Sequence, residues 1–543
     1  MTAVGDRAPA RLPARPGRDG FGQLLHAEWT KFRTVRGWLI GMIVAALASV
    51  LMGLLTAGSA HIACRRPGLP PATGRGCLPG IPVGPGGEAV TDSFYFVHRQ
   101  LGRDGSMTVR VSGLSGRYGA DGGQAGGEQA GGGPPAMVPG LQPWSKAGVI
   151  IAANTRPGAA YAAMMATGQH GVRLQWNYTH DTAGLPGAAS AAAPRWLRLT
   201  RAGDTLTGAD SADGRHWSQV GTVTLPGLPA SVPAGLFVAS PQHVETSAFF
   251  GGSSGSNTGS EATAVFDHVA LRGGDPGGQW SGGFVGGGPR APYPLPAGEY
   301  RQAGGVFTVT GSGDIAPDVT GPGATFPSAT IEDHLVGMFA GLIAVVVVAA
   351  MFMTAEYRRG LIRITLAASP RRGRVLAAKA VIVGAAAFAA GLVAAIVSVT
   401  AGTRLAGAEG IYVLPVSALT QVRVIAGSAA LLAVSAVLAL AIGALLRRTA
   451  AAVAAGIVVI VLPFILGVGS ILPVGAADWL LRLTPAAGFA VQQSLPAYAQ
   501  VNSAYTPAGG YYPLPPWAGF AVLCGYAALT LILAVILLRR RDA

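Results

Sequence analysis

LVGMFAGLIAVVVVAAMFMT, residues 335–354, is the stretch on which the fold turns. It holds no Asp, Glu, Lys or Arg, and about 20 residues rising about 1.5 Å each are what a helix needs to cross a hydrocarbon core. A helix buried in a soluble protein seldom runs so far without a charge, because it would need apolar packing on every side. Five further stretches read the same way: 38–56, 381–401, 424–446, 450–472 and 517–538. The composition agrees, with 50% hydrophobic residues, 12% charged residues and a mean hydropathy of +0.43. The chain is expected to be an α-helical polytopic membrane protein of six spans.

The basic residues give the spans a direction. Of the 39, only Lys31, Lys146 and Lys379 are lysines. Basic residues gather at the cytoplasmic flanks of spans, and one set of flanks holds Lys31, Arg33, Arg36, Arg358, Arg359, Arg363, Arg371, Arg372, Arg374, Lys379, Arg447, Arg448 and Arg539 to Arg541. The short loops on the other side hold only Arg404, Arg423 and Arg482. Both termini are therefore expected in the cytoplasm of a multi-pass cell-membrane protein, with 57–333 outside. The net charge of +14 would suit nucleic acid if it clustered on one folded face. It flanks apolar segments instead, and no nucleic-acid partner is expected.

The organisation follows. Residues 1–20, rich in Arg, Pro and Gly, read as a disordered cytoplasmic tail. Over 21–37, Phe21, Leu24, Leu25, Trp29, Phe32 and Val35 recur at helical spacing, an amphipathic helix suited to the membrane surface. Cytoplasmic segments are expected at 355–380 and 539–543, and a long outer loop at 473–516. Within 57–333, apolar and polar residues alternate between Gly, Pro and Asp turns at 106–112, 147–153, 161–167, 171–178, 196–201, 217–224, 235–240 and 262–271. That is strand patterning, and so many short strands imply an all-β sandwich inserted between the first two spans. Asp213-Gly214 suits a tight hairpin turn, and the Gly-rich stretches 113–140, 251–259 and 273–288 read as loops. Cys64 and Cys77 lie just beyond the first span, where an oxidising exterior lets a pair close; a disulfide there is expected to contribute about 3 kcal/mol.

WSKAGVI at 144–150, RWLRLTRAGD at 195–204, SADGRHW at 211–217 and GLFVAS at 235–240, in that order, resemble the concanavalin A-like lectin and glucanase sandwich (jelly roll). Glucanases of that kind pair acids two residues apart on a strand so that both face one cleft, and no such run occurs here. No catalytic residue is expected. Trp176, Trp196 and Trp217 are candidate contacts for a cell-envelope glycan, set against the reading that they pack the sandwich.

No lysine follows a glycine, so a P-loop is missing and this chain is not expected to be an ATP-hydrolysing enzyme. The histidines and cysteines lack zinc spacing, and no metal or other cofactor is expected in this chain. TAEYRRGLIRITLAASPRRGRVLAAK, residues 354–379, resembles the coupling region of type-2 ABC exporter permeases, in which a Glu and a Gly after the second span precede a short helix, a Pro and basic residues. HAEWTKFR at 26–33 is similar to their N-terminal elbow, and LLRRT at 445–449 to their turn between the fourth and fifth spans. The resemblance covers all six spans. It implies a permease, paired with a second copy or a homologous permease, that moves an amphiphilic or lipid-like substrate with a separate cytoplasmic ABC ATPase holding ATP and Mg. It assigns coupling to Glu356, Tyr357, Arg358, Arg359, Gly360, Arg363, Pro370, Arg371 and Arg372, and the elbow to Glu28, Trp29, Lys31 and Arg33. The same arginines would also enforce topology and bind anionic membrane lipid. The alternative function is a membrane-anchored protein that binds or senses envelope glycan.

Overall fold

The computed structural model describes residues 20–59, 63–64, 72–73, 81–120, 136–249, 252–274, 278–286, 298–319, 328–358, 360, 371–469, 471–502 and 505–541. Among the described residues, six helices long and apolar enough to cross a membrane stand where the uncharged stretches lie: Arg36–Gly58, Glu332–Arg358, Arg372–Ala408, Ala418–Leu446, Thr449–Val468 and Pro516–Arg540. They are numbered spans 1 to 6 below. A short elbow helix, Phe21–Thr34, precedes span 1.

Except for span 5, which ends at Val468 short of the expected 472, the helices extend past the apolar runs, and the connection between spans 2 and 3 is correspondingly shorter than the expected 355–380. Span 2 remains helical to Arg358 and span 3 is one continuous helix from Arg372. From Arg372 to Ala408 no proline interrupts the helix. Span 5 carries the opposite device. Pro463 lacks an N–H and its ring crowds the carbonyl four residues back, and the helix widens into a π turn over Ile457–Val461 before resuming at Leu462–Val468.

Spans 1 and 2 pack at glycine distance. A Cβ on Gly337 would collide with the Ser49 carbonyl, and one on Gly341 with the Ser49 hydroxyl. The membrane core then fills with small and branched side chains from all six spans, among them Leu342, Val346, Val383, Ala394, Leu432, Ala436, Ile460 and Leu523.

Between spans 1 and 2 lies an antiparallel β region built on a 14-stranded sheet. Its axis is one strand, Phe94–Gly119. One edge of this strand pairs with Val232–Ala239 and Arg195–Ala202, the other with Ser260–Gly274 and Ser281–Val285. A single strand shared in this way folds the sheet over a core of Val97, Met107, Val109, Leu197, Leu199, Leu236 and Phe266. Each of the eight stretches with alternating pattern falls on a strand, with boundaries that differ by a few residues: Tyr161–Thr167 coincides with its stretch, Val172–Trp176 and Ser218–Thr224 are shorter than theirs, and Ser260–Gly274 is longer.

Four details depart from the sequence reading, the first being that the Gly-rich stretch 273–288 contains the strand Ser281–Val285, paired with the long strand. The Gly-rich residues 113–119 form the end of the long strand, and Gly252–Thr258 pairs with His243–Phe249; backbone ladder bonds hold a strand whether or not its residues carry side chains. Residues 121–135 of the first Gly-rich stretch lie outside the described residues. Asp213-Gly214 does lie between paired strands, with Gly214 at φ +73°, but the connection from Ser211 to Ser218 is longer than a two-residue turn. There the Asp213 carboxylate accepts from the amides of Arg215 and His216.

The β region is seated on the span ends. Ser328–Ala329 pairs in parallel with Tyr412–Val413, between spans 3 and 4. From the connection before span 6, Gln500 donates to the carbonyls of Tyr178 and Thr179, and Asn502 to that of Gln242. Val501 packs with Ala316 and Val319.

Candidate functional site

The elbow helix turns two kinds of residue in different directions. Phe21 and Trp29 are exposed, as suits a membrane surface, whereas Glu28 and Phe32 are buried against the spans. Span 2 brings Glu356 to the same place in its last turn, and span 3 brings Lys379 from its second turn. The four charges of Glu28, Lys31, Glu356 and Lys379 then close into a ring. The Lys379 ammonium lies 2.7 Å from Glu28 Oε2 and 2.5 Å from Glu356 Oε1. Lys31 lies 3.0 Å from Glu28 Oε1 and 3.3 Å from Glu356 Oε1.

Signs alternate round the ring and the charges cancel, so the burial that each alone could not survive is tolerated together. The Lys379 and Glu28 side chains are 1% and 2% exposed. Lys31 remains partly open to solvent; burial, the largest influence, pulls its pKa down, but the Glu28 hydrogen bond and the Glu356 charge outweigh it and leave Lys31 above its ordinary value. Glu356 Oε2 is buried and without a hydrogen-bond partner among the described residues. Aromatic rings close the dry side: Phe32 and Trp38 meet Phe352 edge-on, and Lys379 Nζ stands 5.0 Å from the Phe352 ring centre.

The turn between spans 4 and 5 joins this cluster. Thr354 and Thr449 share a hydrogen bond of 2.9 Å, and the Arg447 guanidinium lies 5.1 Å from the Tyr357 ring centre. Arg447 itself ends span 4 in the left-handed region, at φ +59°. The elbow, the exit of span 2 and the 445–449 turn, three segments singled out separately in the sequence, thus meet at one place.

Arg358 ends span 2, and Gly360 follows at φ +68° with open space around it, a conformation that suits glycine. Arg359, Arg363 and Pro370 lie outside the described residues. Arg371 immediately precedes span 3 and makes no side-chain capping bond, and Arg372 donates to the Leu538 carbonyl at 2.6 Å, joining spans 3 and 6. Arg33 is exposed on the elbow. The sequence reading missed Lys379 as a site residue, because it stands just ahead of an apolar run. Its signal was rarity: all three lysines of this arginine-rich chain are in ion pairs with carboxylates, Lys146 with Asp314 at 2.5 Å.

The tryptophans are engaged within the β region. Trp176 stacks on His180, the Gly214 turn and His268 press on Trp196, and Arg198 lies 3.8 Å from the Trp217 ring centre. Cys64 stands on a short strand paired with Ala72–Thr73, and Cys77 lies outside the described residues. Among the described residues no cluster of His, Cys, Asp and Glu is arranged to hold a metal.

No curated protein matches the chain. Solved structures resemble parts of it weakly: a functionally unknown protein from Saccharomyces cerevisiae (15% identity, 33% of this chain, 74% of that one, TM-score 0.19), a GH43 protein from Bacillus licheniformis (11%, 25% and 24%, 0.16) and a scytalido-glutamic peptidase with a transition state analog inhibitor (7%, 41% and 98%, 0.24). Likeness this slight carries no statement about activity. The family described as ABC-2 family transporter protein matches residues 230–543, from inside the β region through spans 2 to 6. With more than half of its length in that match, this multi-pass membrane protein belongs to the ABC-2 transporter family, whose members are the membrane component of the transporter.

Proposed function

We propose that the chain is the permease subunit of an ABC-type exporter, in which a separate cytoplasmic ATPase, holding ATP and Mg, drives the movement of an amphiphilic or lipid-like substrate. The ATPase docks on the segment leaving span 2, through Glu356, Tyr357, Arg358 and Gly360 with Arg359, Arg363, Pro370, Arg371 and Arg372 following, and a second permease copy or homologue completes the pathway. The basic asymmetry of the loops supports cytoplasmic termini and an outward β region.

The observation that carries the reading is the charge ring. It locks the elbow, span 2 and span 3 to one another directly behind the proposed docking segment, so a push there moves three elements as a body. A loop serving only as a topology anchor has no need of a Glu356 shared between two ammonium groups.

Glu356→Ala and Gly360→Val test it, because neither changes a basic residue. Insertion and a folded β region are expected in both, with association of the ATPase, or transport-linked ATP hydrolysis, reduced several-fold. Unchanged association, hydrolysis and transport in both variants would reduce the loop to a topology anchor.

A further inference from the structure

Spans 3 and 6 run antiparallel, and the seam between them carries two cavities one above the other. At the basic end, a cavity of about 510 Å³ is lined by Arg371, Arg372, Gly373, Arg374 and Arg539. Arg372 is committed to the carbonyl end of span 6 and fixes that wall. Arg371, Arg374 and Arg539 have no ion-pair carboxylate among the described residues, and positive charges held together at one cavity repel one another until an anion joins them.

Deeper in the same seam is a groove of about 440 Å³, walled on span 3 by Val381, Gly384 and Ala385, on span 6 by Cys524, Ala528 and Leu531, and on span 4 by Val437. Every one of these walls is apolar. The two cavities share helix faces: Arg374 and Val381 are two turns apart on span 3, while Leu531, Val535 and Arg539 follow at one-turn intervals on span 6. A Cβ on Gly373 would stand 3.4 Å from Val535, so spans 3 and 6 lie close together beside the basic cavity. Beside the groove, Val381, Leu529 and Ile532 are exposed, as lipid-facing residues are.

We propose that this seam seats one anionic phospholipid of the membrane, its phosphate among Arg371, Arg374 and Arg539 and an acyl chain along Val381, Ala385, Ala528 and Leu531. Guanidinium forks match phosphate oxygens in pairs, and the N-terminal end of span 3, whose first residues line this cavity, favours negative charge as well. A soluble phosphate would satisfy the arginines but leave the groove empty. The paired head and tail features select a lipid, and basic pockets between spans are established seats for such head groups.

Native mass spectrometry of the purified full chain tests this with phosphatidylglycerol against phosphatidylcholine of the same acyl chains. Phosphatidylglycerol is expected to be held at least tenfold more tightly, and glycerol phosphate should not displace it. Arg371→Gln/Arg374→Gln/Arg539→Gln should remove that preference, whereas Arg36→Gln/Arg448→Gln, which takes two charges from the same end of the bundle, should keep it. Ala528→Phe, which leaves every arginine in place and fills the groove, should weaken phosphatidylglycerol at least fivefold, and it decides the matter if the triple variant does not insert. Equal retention of the two lipids by the unaltered chain, equal loss in both arginine variants, or displacement by glycerol phosphate with no effect of Ala528→Phe would each overturn the proposal.

Discussion

Lys146 in the β region and Lys379 at the base of the spans are both lysines removed from water, and they are built into opposite kinds of site. Lys146 donates to Asp314 and to the neighbouring Ile315 carbonyl, so its partners lie on one short segment of one domain. Lys379 donates to Glu28 and Glu356, which come from the elbow and span 2 and lie 351 and 23 residues away in sequence. The first lysine completes a core. The second holds three elements at fixed spacing, and one of its carboxylates still has an uncommitted oxygen. The same ammonium chemistry gives a closed structural bond in one place and a junction in the other.

Breaking the junction should have the larger consequence. Lys379→Met leaves Glu28 and Glu356 buried with only the partly exposed Lys31 between them, and breaking a buried ion pair from one side costs about 3–5 kcal/mol. A matching loss of thermal stability in detergent is expected, and Glu28→Gln/Glu356→Gln/Lys379→Met should recover most of it, since a neutral set carries no stranded charge.

Lys146→Met should destabilise less, about 3 kcal/mol, at the lower end of the same range. Asp314 keeps the Ile315 amide as a donor and is 10% exposed. Unfolding of the β region would report it, and ATPase association should be unchanged.

Asp92 gives the most conditional effect, absent above about pH 6. Burial pushes its pKa up to about 6, against the opposing pull of the Tyr178 hydroxyl and the Gly158 amide. The folded state therefore holds this proton more tightly than the unfolded chain does. Its contribution is complete below the ordinary 3.8 and is lost as pH rises through about 6. Relative to Asp92→Asn, the unaltered chain should lose about 1 kcal/mol per pH unit across that window and stay level above it. Parallel stability curves for the two proteins from pH 4 to pH 7 would refute the assignment.

The spans and most strands were legible in the sequence because each is a local pattern: an uncharged run such as 335–354, or the alternation of Leu197 and Leu199 with Trp196 and Arg198. What stayed hidden depends on distant partners. Arg201 occupies an inward position that alternation reserves for an apolar side chain, and only the carbonyls of Gly203, Gly102 and Pro229 make that affordable. Residues 113–119 read as a loop because glycine has no side chain to alternate, yet Ser260–Gly274 supplies the ladder that makes them a strand. In the same way Glu28 and Glu356 could be assigned one by one from a resemblance, while the lysine that unites them became visible only once span 3 stood beside the elbow.

The central claim, that the Glu356–Lys379 contact serves coupling and the Asp314–Lys146 contact serves only folding, is tested by two double-mutant cycles read on ATPase association. One uses Glu356→Gln and Lys379→Met, the other Asp314→Asn and Lys146→Met, each on folded protein. An interaction energy of at least about 1 kcal/mol is expected in the first cycle, and none beyond error in the second. Zero in the first cycle, or equal values in both, would contradict the account.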